Sequence, residues 1–250
     1  MNLLEGRHIY KAYTRGNSFV QALSDVSFTL GDGEILGVVG ESGSGKSTLL
    51  RQISGLETPD GGEILLGGRP LRGKRTREEY RTIQMIFQDA VGSFHPRRKI
   101  AASIRETMRN LRGRHAEPDL EALSALVGLD PILAERYPRN LSGGQCQRFA
   151  IARAVSVDPG ILLCDEITSA LDVSSQAQVL RLLSDICRER HMSAVFVSHD
   201  LAVVSCICDR VMVMHRGRVV EEGDVREVIG SPRDEYSRKL ISSVLEVGKH

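Results

Sequence analysis

The sequence lacks an excess of either charge and lacks long apolar runs. Its 250 residues hold 33 lysines and arginines against 32 aspartates and glutamates, which disfavours a polycation that coats nucleic acid. The longest apolar runs, such as residues 194–197, span only a few residues, whereas a membrane-spanning helix needs about 20. We therefore expect a chain that binds no nucleic acid and does not cross a bilayer by itself.

The sequence also lacks a leader pattern, internal repeats and a disulfide framework. The N-terminus carries Glu5 and no apolar segment of a signal peptide, so we expect no export signal. Five cysteines are an odd number at irregular spacing, which predicts reduced thiols in a cytosolic protein. We expect Cys146 and Cys164 to be packing residues, and Cys206 and Cys208 to be buried in a helix rather than to hold a metal.

What the sequence does contain is an ordinary globular composition in which strand and helix patterns alternate. It is 41% hydrophobic and 26% charged. Apolar strand patterns occur at residues 26–30, 34–39, 63–66, 82–87, 161–164, 194–197 and 210–214. Helical patterns occur at residues 46–55, 120–127, 142–153, 179–186 and 236–244. The alternation predicts an α/β core with a mostly parallel sheet, into which a helical stretch at about residues 89–159 is inserted.

A glycine-rich loop follows the second of these strands. Residues 40–47 read Gly-Glu-Ser-Gly-Ser-Gly-Lys-Ser, which fits the pattern G-x-x-x-x-G-K-S. Glycines let consecutive backbone N–H groups turn around an anion, and the following helix directs its positive end at the phosphates. We expect Lys46 to reach the β and γ phosphates of a nucleotide and the Ser47 hydroxyl to ligate Mg²⁺. The predicted nucleotide contacts in this segment are Gly40, Ser42, Gly43, Gly45, Lys46, Ser47 and Thr48.

Two adjacent carboxylates end a later strand. Residues 161–166 read Ile-Leu-Leu-Cys-Asp-Glu, and the carboxyl ends of parallel strands are where ligands bind. Asp165 is predicted to hold Mg²⁺, and Glu166 to polarise an attacking water. Without the upstream phosphate loop, a helix cap or a solvated turn would explain this pair equally well.

The pentapeptide Leu141-Ser142-Gly143-Gly144-Gln145 starts a helix and offers a second anion-binding surface. With it, the sequence resembles the nucleotide-binding subunits of ABC transporters over about residues 3–244. The motifs occur in that family's order: the phosphate loop, Gln88, the pentapeptide, the Asp165–Glu166 pair, residues 169–172 and His199.

This resemblance implies roles at individual positions within one nucleotide site. Tyr13 resembles the aromatic residue that stacks on adenine, with Tyr10 as the alternative. Gln88 is implied to contact Mg²⁺ and the attacking water, and to begin the segment that senses a membrane partner. His199 is implied to contact the γ-phosphate, and Lys46, Gln88, Glu166 and His199 together would form the catalytic set.

Other implied roles belong to a second subunit. Ser142 and Gly144, with Gln145 beside them, would meet the γ-phosphate held by the opposite subunit, so that two chains enclose two ATP molecules. Asp172 would lie in the loop that joins the two sites.

The resemblance also implies a fold: a P-loop NTPase (RecA-like) core with an antiparallel β subdomain and an inserted helical subdomain. We expect residues 1–250 to form a single ABC ATPase domain. Within it we expect a nucleotide-binding core at 3–88 and 159–230, a helical signature subdomain at 89–158 and a C-terminal helix at 231–250.

A finer similarity concerns residues 88–97, 169–178 and 231–236, which are similar to the peptide/nickel import branch. Phe94 and His95 depart from that branch, which has leucine and asparagine there, and Ile167 stands where the family has proline. The branch implies a motor subunit that couples ATP hydrolysis to import of a peptide, nickel or a metal chelate. Its implied partners are a second copy or a paralogous ATPase subunit, two integral membrane permease subunits and, indirectly, a solute-binding protein. Its implied place is peripheral, at the cytoplasmic face of the cell membrane.

Three other functions compete with this one. ABC-type ATPases of DNA repair place coiled-coil or zinc-bearing insertions before the pentapeptide, and this chain has no heptad run there. A P-loop kinase would leave the pentapeptide and His199 without a role. An ATPase component associated with a phosphonate carbon–phosphorus lyase complex remains the main alternative at this point.

Overall fold

The computed structural model describes residues 2–16 and 18–247, which divide into two compact units. The first unit is formed by the chain up to Arg75 and from Ser193 onward, and the second by Thr76–Met192. The β-strands are β1 (Asn2–Arg15), β2 (Ser18–Gly31), β3 (Ile35–Val39), β4 (Gly61–Leu66), β5 (Arg69–Pro70), β6 (Ile83–Ile86), β7 (Ile161–Asp165), β8 (Ser193–Val197), β9 (Arg210–His215) and β10 (Arg218–Asp224).

Helices connect most of these strands. The α-helices are α1 (Lys46–Ser54), α2 (Arg77–Thr82), α3 (Ile100–Arg112), α4 (Leu120–Leu126), α5 (Gly143–Val155), α6 (Val173–Glu189), α7 (Leu201–Ile207), α8 (Val225–Gly230) and α9 (Glu235–Val247). Two 3₁₀-helices span Pro131–Glu135 and Pro138–Asn140. Among the residues described, no helix combines the length and the apolar character needed to cross a membrane.

The first unit contains an antiparallel sheet in the order β2-β1-β4-β5 and a group of strands in the order β10-β9-β3-β8. In the second group β3 is parallel to β8 and to β9, and β10 is antiparallel at the edge. Every residue of β3 and of β8 is buried, as is typical of parallel strands that are covered on both faces. The carboxyl ends of β3, β8 and β9 therefore meet at one edge.

The second unit contains the parallel pair β6 and β7, with α3, α4 and α5 between them in sequence and α6 after β7. On α6 the predicted apolar face is confirmed, because Val179, Leu180, Leu183 and Ile186 are all buried. The predicted α/β class, the mostly parallel core strands and the antiparallel β sheet are likewise present. By compactness, β6, β7 and α6 belong to the same unit as the inserted helices. The predicted boundaries at 88/89 and 158/159 divide the chain by function instead, and they stay a prediction.

Candidate nucleotide-binding and catalytic site

The predicted phosphate loop lies between β3 and α1, and two of its glycines are sterically required. Gly40 has φ +149° and Gly45 has φ +107°, a region that favours glycine. A Cβ atom at Gly40 would lie 2.2 Å from the Met214 carbonyl oxygen, and one at Gly45 would lie 2.5 Å from the Ala22 carbonyl oxygen. The loop therefore adopts its curl only with glycine at both positions.

Lys46, the first residue of α1, is 5% exposed and points back into this curl. Its Nζ donates hydrogen bonds to the carbonyl oxygens of Gly40 (2.7 Å) and Glu41 (2.9 Å). A glycine-lined curl of backbone at a helix N-terminus, with a cation inside it, suits a polyphosphate. The structure thus places Gly40, Gly45 and Lys46 together as the sequence predicts.

Tyr13 lies on β1 and is connected to the helix that follows the phosphate loop. Its half-buried side chain donates a hydrogen bond to the Glu57 carboxylate and is hydrogen-bonded to the Thr48 side chain of α1. Burial, reinforced by Glu57, raises the pKa of the Tyr13 phenol, which stays protonated. Tyr10 lies instead opposite Gly61 of β4. Of the two candidate tyrosines, Tyr13 is thus the one connected to the helix that follows the loop.

His199 lies just beyond β8, at the edge that also carries the phosphate loop. The preceding residue, Ser198, donates its N–H to the Val38 carbonyl of β3 (3.2 Å), and the next residue, Asp200, caps α7 through the N–H groups of Ala202 and Val203. The His199 side chain is exposed. Because the segments on both sides are fixed, the imidazole is presented at the carboxyl end of β8.

In the second unit, the ends of β6 and β7 bring two predicted catalytic side chains together. Gln88 Nε2 lies 3.3 Å from the Glu166 carboxylate and 3.2 Å from Ser169 Oγ. Glu166 adopts φ +46°, a conformation that most residues avoid and that is often found at functional sites. Asp165, at the end of β7, is 8% exposed. Gln88 and Glu166 are 78 positions apart in sequence, and the parallel pairing of the two strands makes them neighbours.

The pentapeptide forms the N-terminus of α5 through a capping box. Ser142 Oγ accepts the Gln145 N–H (3.2 Å), and the Gln145 side chain accepts the Ser142 N–H (3.0 Å). Ser142 and Gly143 are exposed. A Cβ atom at Gly144 would lie 3.4 Å from Ser175 Oγ, so a larger residue there would crowd the start of α6. The motif thus presents a helix N-terminus at the surface of its unit.

Asp172 caps the adjacent helix, α6. Its carboxylate accepts hydrogen bonds from the Ser175 N–H (3.0 Å) and from the hydroxyls of Ser174 and Ser175 (both 2.7 Å). These bonds lower the pKa of Asp172 well below its usual range, so the carboxylate is charged at neutral pH. The structure shows a capping role for Asp172, beside the role that the resemblance implies.

Sequence reasoning missed Arg153, which links the segment after Gln88 to α5. Its guanidinium lies 4.3 Å from the Phe94 ring centroid and donates to the Ser93 carbonyl oxygen (2.7 Å) and to Ser93 Oγ (3.1 Å). Burial lowers the pKa of Arg153 to about 10. A half-buried arginine on a helix gives no sequence signal by itself. This arginine stacks on Phe94, which is one of the residues that depart from the import branch.

The departure at position 167 is also accommodated. Ile167 is 1% exposed and lines a cavity of about 330 Å³ together with Gln88 and Gly143. A buried branched side chain is thus accommodated at this position, beside the same cavity as Gln88.

The comparisons with known proteins agree with this arrangement. The family model described as ABC transporter matches residues 23–169. The chain belongs to this family. It is 47% identical over 232 residues to the oligopeptide transport ATP-binding protein OppF of Haemophilus influenzae, covering 90% of this chain and 70% of that protein. It is 43% identical to the dipeptide transport ATP-binding protein DppF of Escherichia coli, covering 90% of this chain and 69% of that protein.

A solved structure shows the same fold. The dimeric, post-hydrolysis state of the ATP-binding cassette MJ0796, bound to ADP and Pi, superposes with a TM-score of 0.79 at 29% identity, covering 89% of this chain and 99% of that one. The protein is therefore an ABC-type ATPase with the P-loop NTPase fold, as the resemblance implied. The roles of its individual residues stay predictions.

The five cysteines of this ATPase all lie among the described residues, form no disulfide and differ in exposure. Cys146 and Cys164 are buried, as predicted, but the expectation that Cys206 is buried is wrong. Residues 201, 204 and 207 of α7 face the interior, so Cys206 points outward, while Cys208 is buried beyond the helix end.

Thiol labelling of the native protein should therefore modify Cys206 rapidly and the other four cysteines slowly. Burial raises the pKa of Cys146 to about 11 and that of Cys187 to about 12, so the reactive thiolate is scarce at both positions at pH 8. Mass spectrometry after a short maleimide pulse measures the labelled sites. The variant Cys206→Ser should lose the fast phase, and a second rapidly labelled thiol would contradict the assignment.

Proposed function

We propose that this ATPase is the ATP-hydrolysing motor subunit of an importer of oligopeptides or dipeptides. The observation that carries the cargo class is the 47% and 43% identity to proteins named for oligopeptide and dipeptide transport. Nickel and metal chelates are less well supported by these relatives, and the phosphonate lyase alternative has no support among them. The cargo is selected outside this chain, because the site residues of this chain are proposed to bind a nucleotide.

ATP is proposed to bind through its phosphates to the loop of residues 40–47. Lys46 would exchange its carbonyl contacts for the β and γ phosphates, and the N–H groups at the start of α1 would donate to phosphate oxygens. Ser42, Gly43 and Thr48 belong to the same segment and complete the proposed contacts. Tyr13 would contribute a stacking surface for the adenine, an interaction worth roughly 1–3 kcal/mol.

A bound Mg²⁺ would neutralise charge that develops on the phosphates, with Ser47, Asp165 and Gln88 as its proposed protein donors. These hydroxyl, carboxylate and amide oxygens are the donor types that Mg²⁺ prefers. No group of three His, Cys, Asp or Glu side chains suited to a metal occurs among residues 2–16 and 18–247. The donor set nevertheless fits, because it supplies one carboxylate, and Mg²⁺ is ordinarily bound through one or two carboxylates together with substrate phosphates and water.

The proposed reaction is transfer of the γ-phosphoryl group to water. Glu166 would accept the proton of that water, and Gln88, 3.3 Å from the Glu166 carboxylate, would hold the carboxylate and the water in line. Lys46 and His199 would stabilise the negative charge spread over the equatorial oxygens.

The functional unit is proposed to be a dimer of ATPase subunits, either two copies or one copy with a paralogue. The helix start at Ser142, Gly144 and Gln145, where Ser142 and the intervening Gly143 are exposed, is a surface that a γ-phosphate held by another subunit would satisfy. The similar cassette MJ0796 is dimeric in its ADP- and Pi-bound structure. ATP binding would favour the closed dimer and hydrolysis the open one, because ATP binds the closed form more tightly.

Closure and opening would act on two integral membrane permease subunits through the segment from Gln88 to Lys99. The subunit would then lie peripherally at the cytoplasmic face of the membrane. A solute-binding protein would take part only through the permeases.

The test is reconstitution of the chain with its permeases and binding protein in liposomes. We expect a peptide-loaded binding protein to stimulate ATP hydrolysis several-fold and to support peptide uptake. Stimulation by nickel alone, or purification of the chain with a soluble enzyme complex, would contradict the proposal.

A further inference from the structure

The phosphate loop is held from outside by two side chains to which no function has been given so far. The Glu41 N–H donates a hydrogen bond to the Tyr236 hydroxyl oxygen (3.0 Å), across 195 positions of sequence. The Tyr236 ring in turn lies against the His215 ring, with centroids 3.8 Å apart and planes tilted by 32°. The loop, α9 and the end of β9 thus meet at one point in the first unit.

Tyr236 is itself rigidly placed. The α9 N-terminus is capped by Asp234, which accepts the N–H groups of Tyr236 (2.8 Å) and Ser237 (3.3 Å). The segment before the helix is bound to β10, because the Glu221 carboxylate accepts the N–H groups of Arg233 (2.8 Å) and Asp234 (3.1 Å). The tyrosine hydroxyl therefore has little freedom to leave the loop.

A second contact fixes the other side of the loop from the same end of β9. Gly217 N–H donates to the Ser44 carbonyl oxygen (2.9 Å), and Gly217 accepts from the Ser24 N–H (2.8 Å). Gly217 has φ +76°, and a Cβ atom there would lie 2.7 Å from the Ala22 carbonyl oxygen. Two residues at and just beyond the end of β9, two positions apart, thus contact the phosphate loop. His215 does so at Glu41 through Tyr236, and Gly217 does so directly at Ser44.

We propose that Tyr236, supported by the His215 ring, is a positioning residue that shapes the phosphate loop for ATP before ATP binds. The inference rests on the proposed binding of ATP at this loop. The Tyr236 contact occupies the Glu41 N–H, and Glu41 is not among the proposed phosphate contacts. Ordering a loop in advance lowers the cost of binding, so its loss should weaken ATP affinity rather than chemistry.

The test compares Tyr236→Phe with wild type in the intact chain. The substitution removes one oxygen and keeps the ring against His215. We expect the Kd and KM for ATP to rise about 3- to 10-fold, as for loss of one hydrogen bond, with kcat at saturating ATP and the melting temperature without nucleotide unchanged. The control Tyr80→Phe, on the exposed side of α2, should match wild type in all four measurements.

The His215 contact has its own pair of variants. His215→Ala should raise the KM for ATP, as Tyr236→Phe does. His215→Phe keeps a ring against Tyr236 and should therefore have a KM close to that of the wild type. An unchanged KM in Tyr236→Phe, or a rise that merely follows a lower melting temperature, would overturn the proposal. Absence of ATP binding by the wild-type chain would instead overturn the proposed function, and this inference with it.

Discussion

The variant Glu166→Gln should lower the turnover number for ATP by roughly 100- to 10,000-fold, the range expected when a general base is removed. The carboxamide has the shape of the carboxylate and retains an oxygen for the Gln88 contact at 3.3 Å, but it does not accept a proton from water. The unusual backbone conformation at position 166 is not altered by the exchange. Phosphate release under saturating ATP measures the effect.

The same variant should bind ATP with near wild-type affinity, because Glu166 acts on the water rather than on the nucleotide. With ATP bound and not hydrolysed, the closed dimer should then accumulate. Size-exclusion chromatography with and without ATP detects it. Glu121→Gln, an exposed glutamate in the first turn of α4, is the matched control and should hydrolyse ATP normally. Wild-type turnover in Glu166→Gln would remove Glu166 from the proposed mechanism.

The variant Lys46→Ala should lower ATP affinity about 10- to 100-fold, as expected for the loss of hydrogen bonds from a charged group worth about 1.5–3 kcal/mol. The change also removes the two bonds from Nζ to the Gly40 and Glu41 carbonyl oxygens, so the curl of the loop loses its internal support. Both effects act on the ground-state complex. Titration with a fluorescent ATP analogue measures the affinity.

Lysine 74 provides the comparison for this variant. Its side chain is exposed in the chain segment before α2, so Lys74→Ala removes the same charge from a solvated position and should leave ATP affinity unchanged. A Lys46→Ala protein that binds ATP as tightly as wild type would show that the phosphates are not held at residues 40–47. Comparing the two variants separates loss of a contact in the phosphate loop from a general effect of net charge on ATP affinity.

The parts of the molecule that the sequence predicted are those with a local cause. The loop of residues 40–47 curls because glycine occupies positions of positive φ, and α1 starts where the apolar periodicity starts. The buried strands β3, β7 and β8 and the apolar face of α6 follow from periodicity in the same way. The sequence predicted that a helix starts at the pentapeptide, and the capping box found there has an equally local cause, since the serine and the glutamine are three residues apart.

The sequence patterns predicted much less of the antiparallel sheet. Only residues 26–30 and 63–66 carried a strand signal, whereas β1 and β2 each run over 14 residues. Register shifts interrupt their pairing between Gly6 and Lys11, and His8 and Asp25 have positive φ. Such irregularities break the two-residue alternation on which a strand prediction depends.

The sequence by itself determined the family, the α/β class and the local geometry of each motif, because turn chemistry, capping and periodicity act within a few residues. Only the tertiary structure decided which distant side chains meet: Gln88 with Glu166, Arg153 with Phe94, and Tyr236 with the loop at Glu41. Those pairings depend on strand order and on the exit of each helix, and these are set by packing of the whole chain rather than by any one segment.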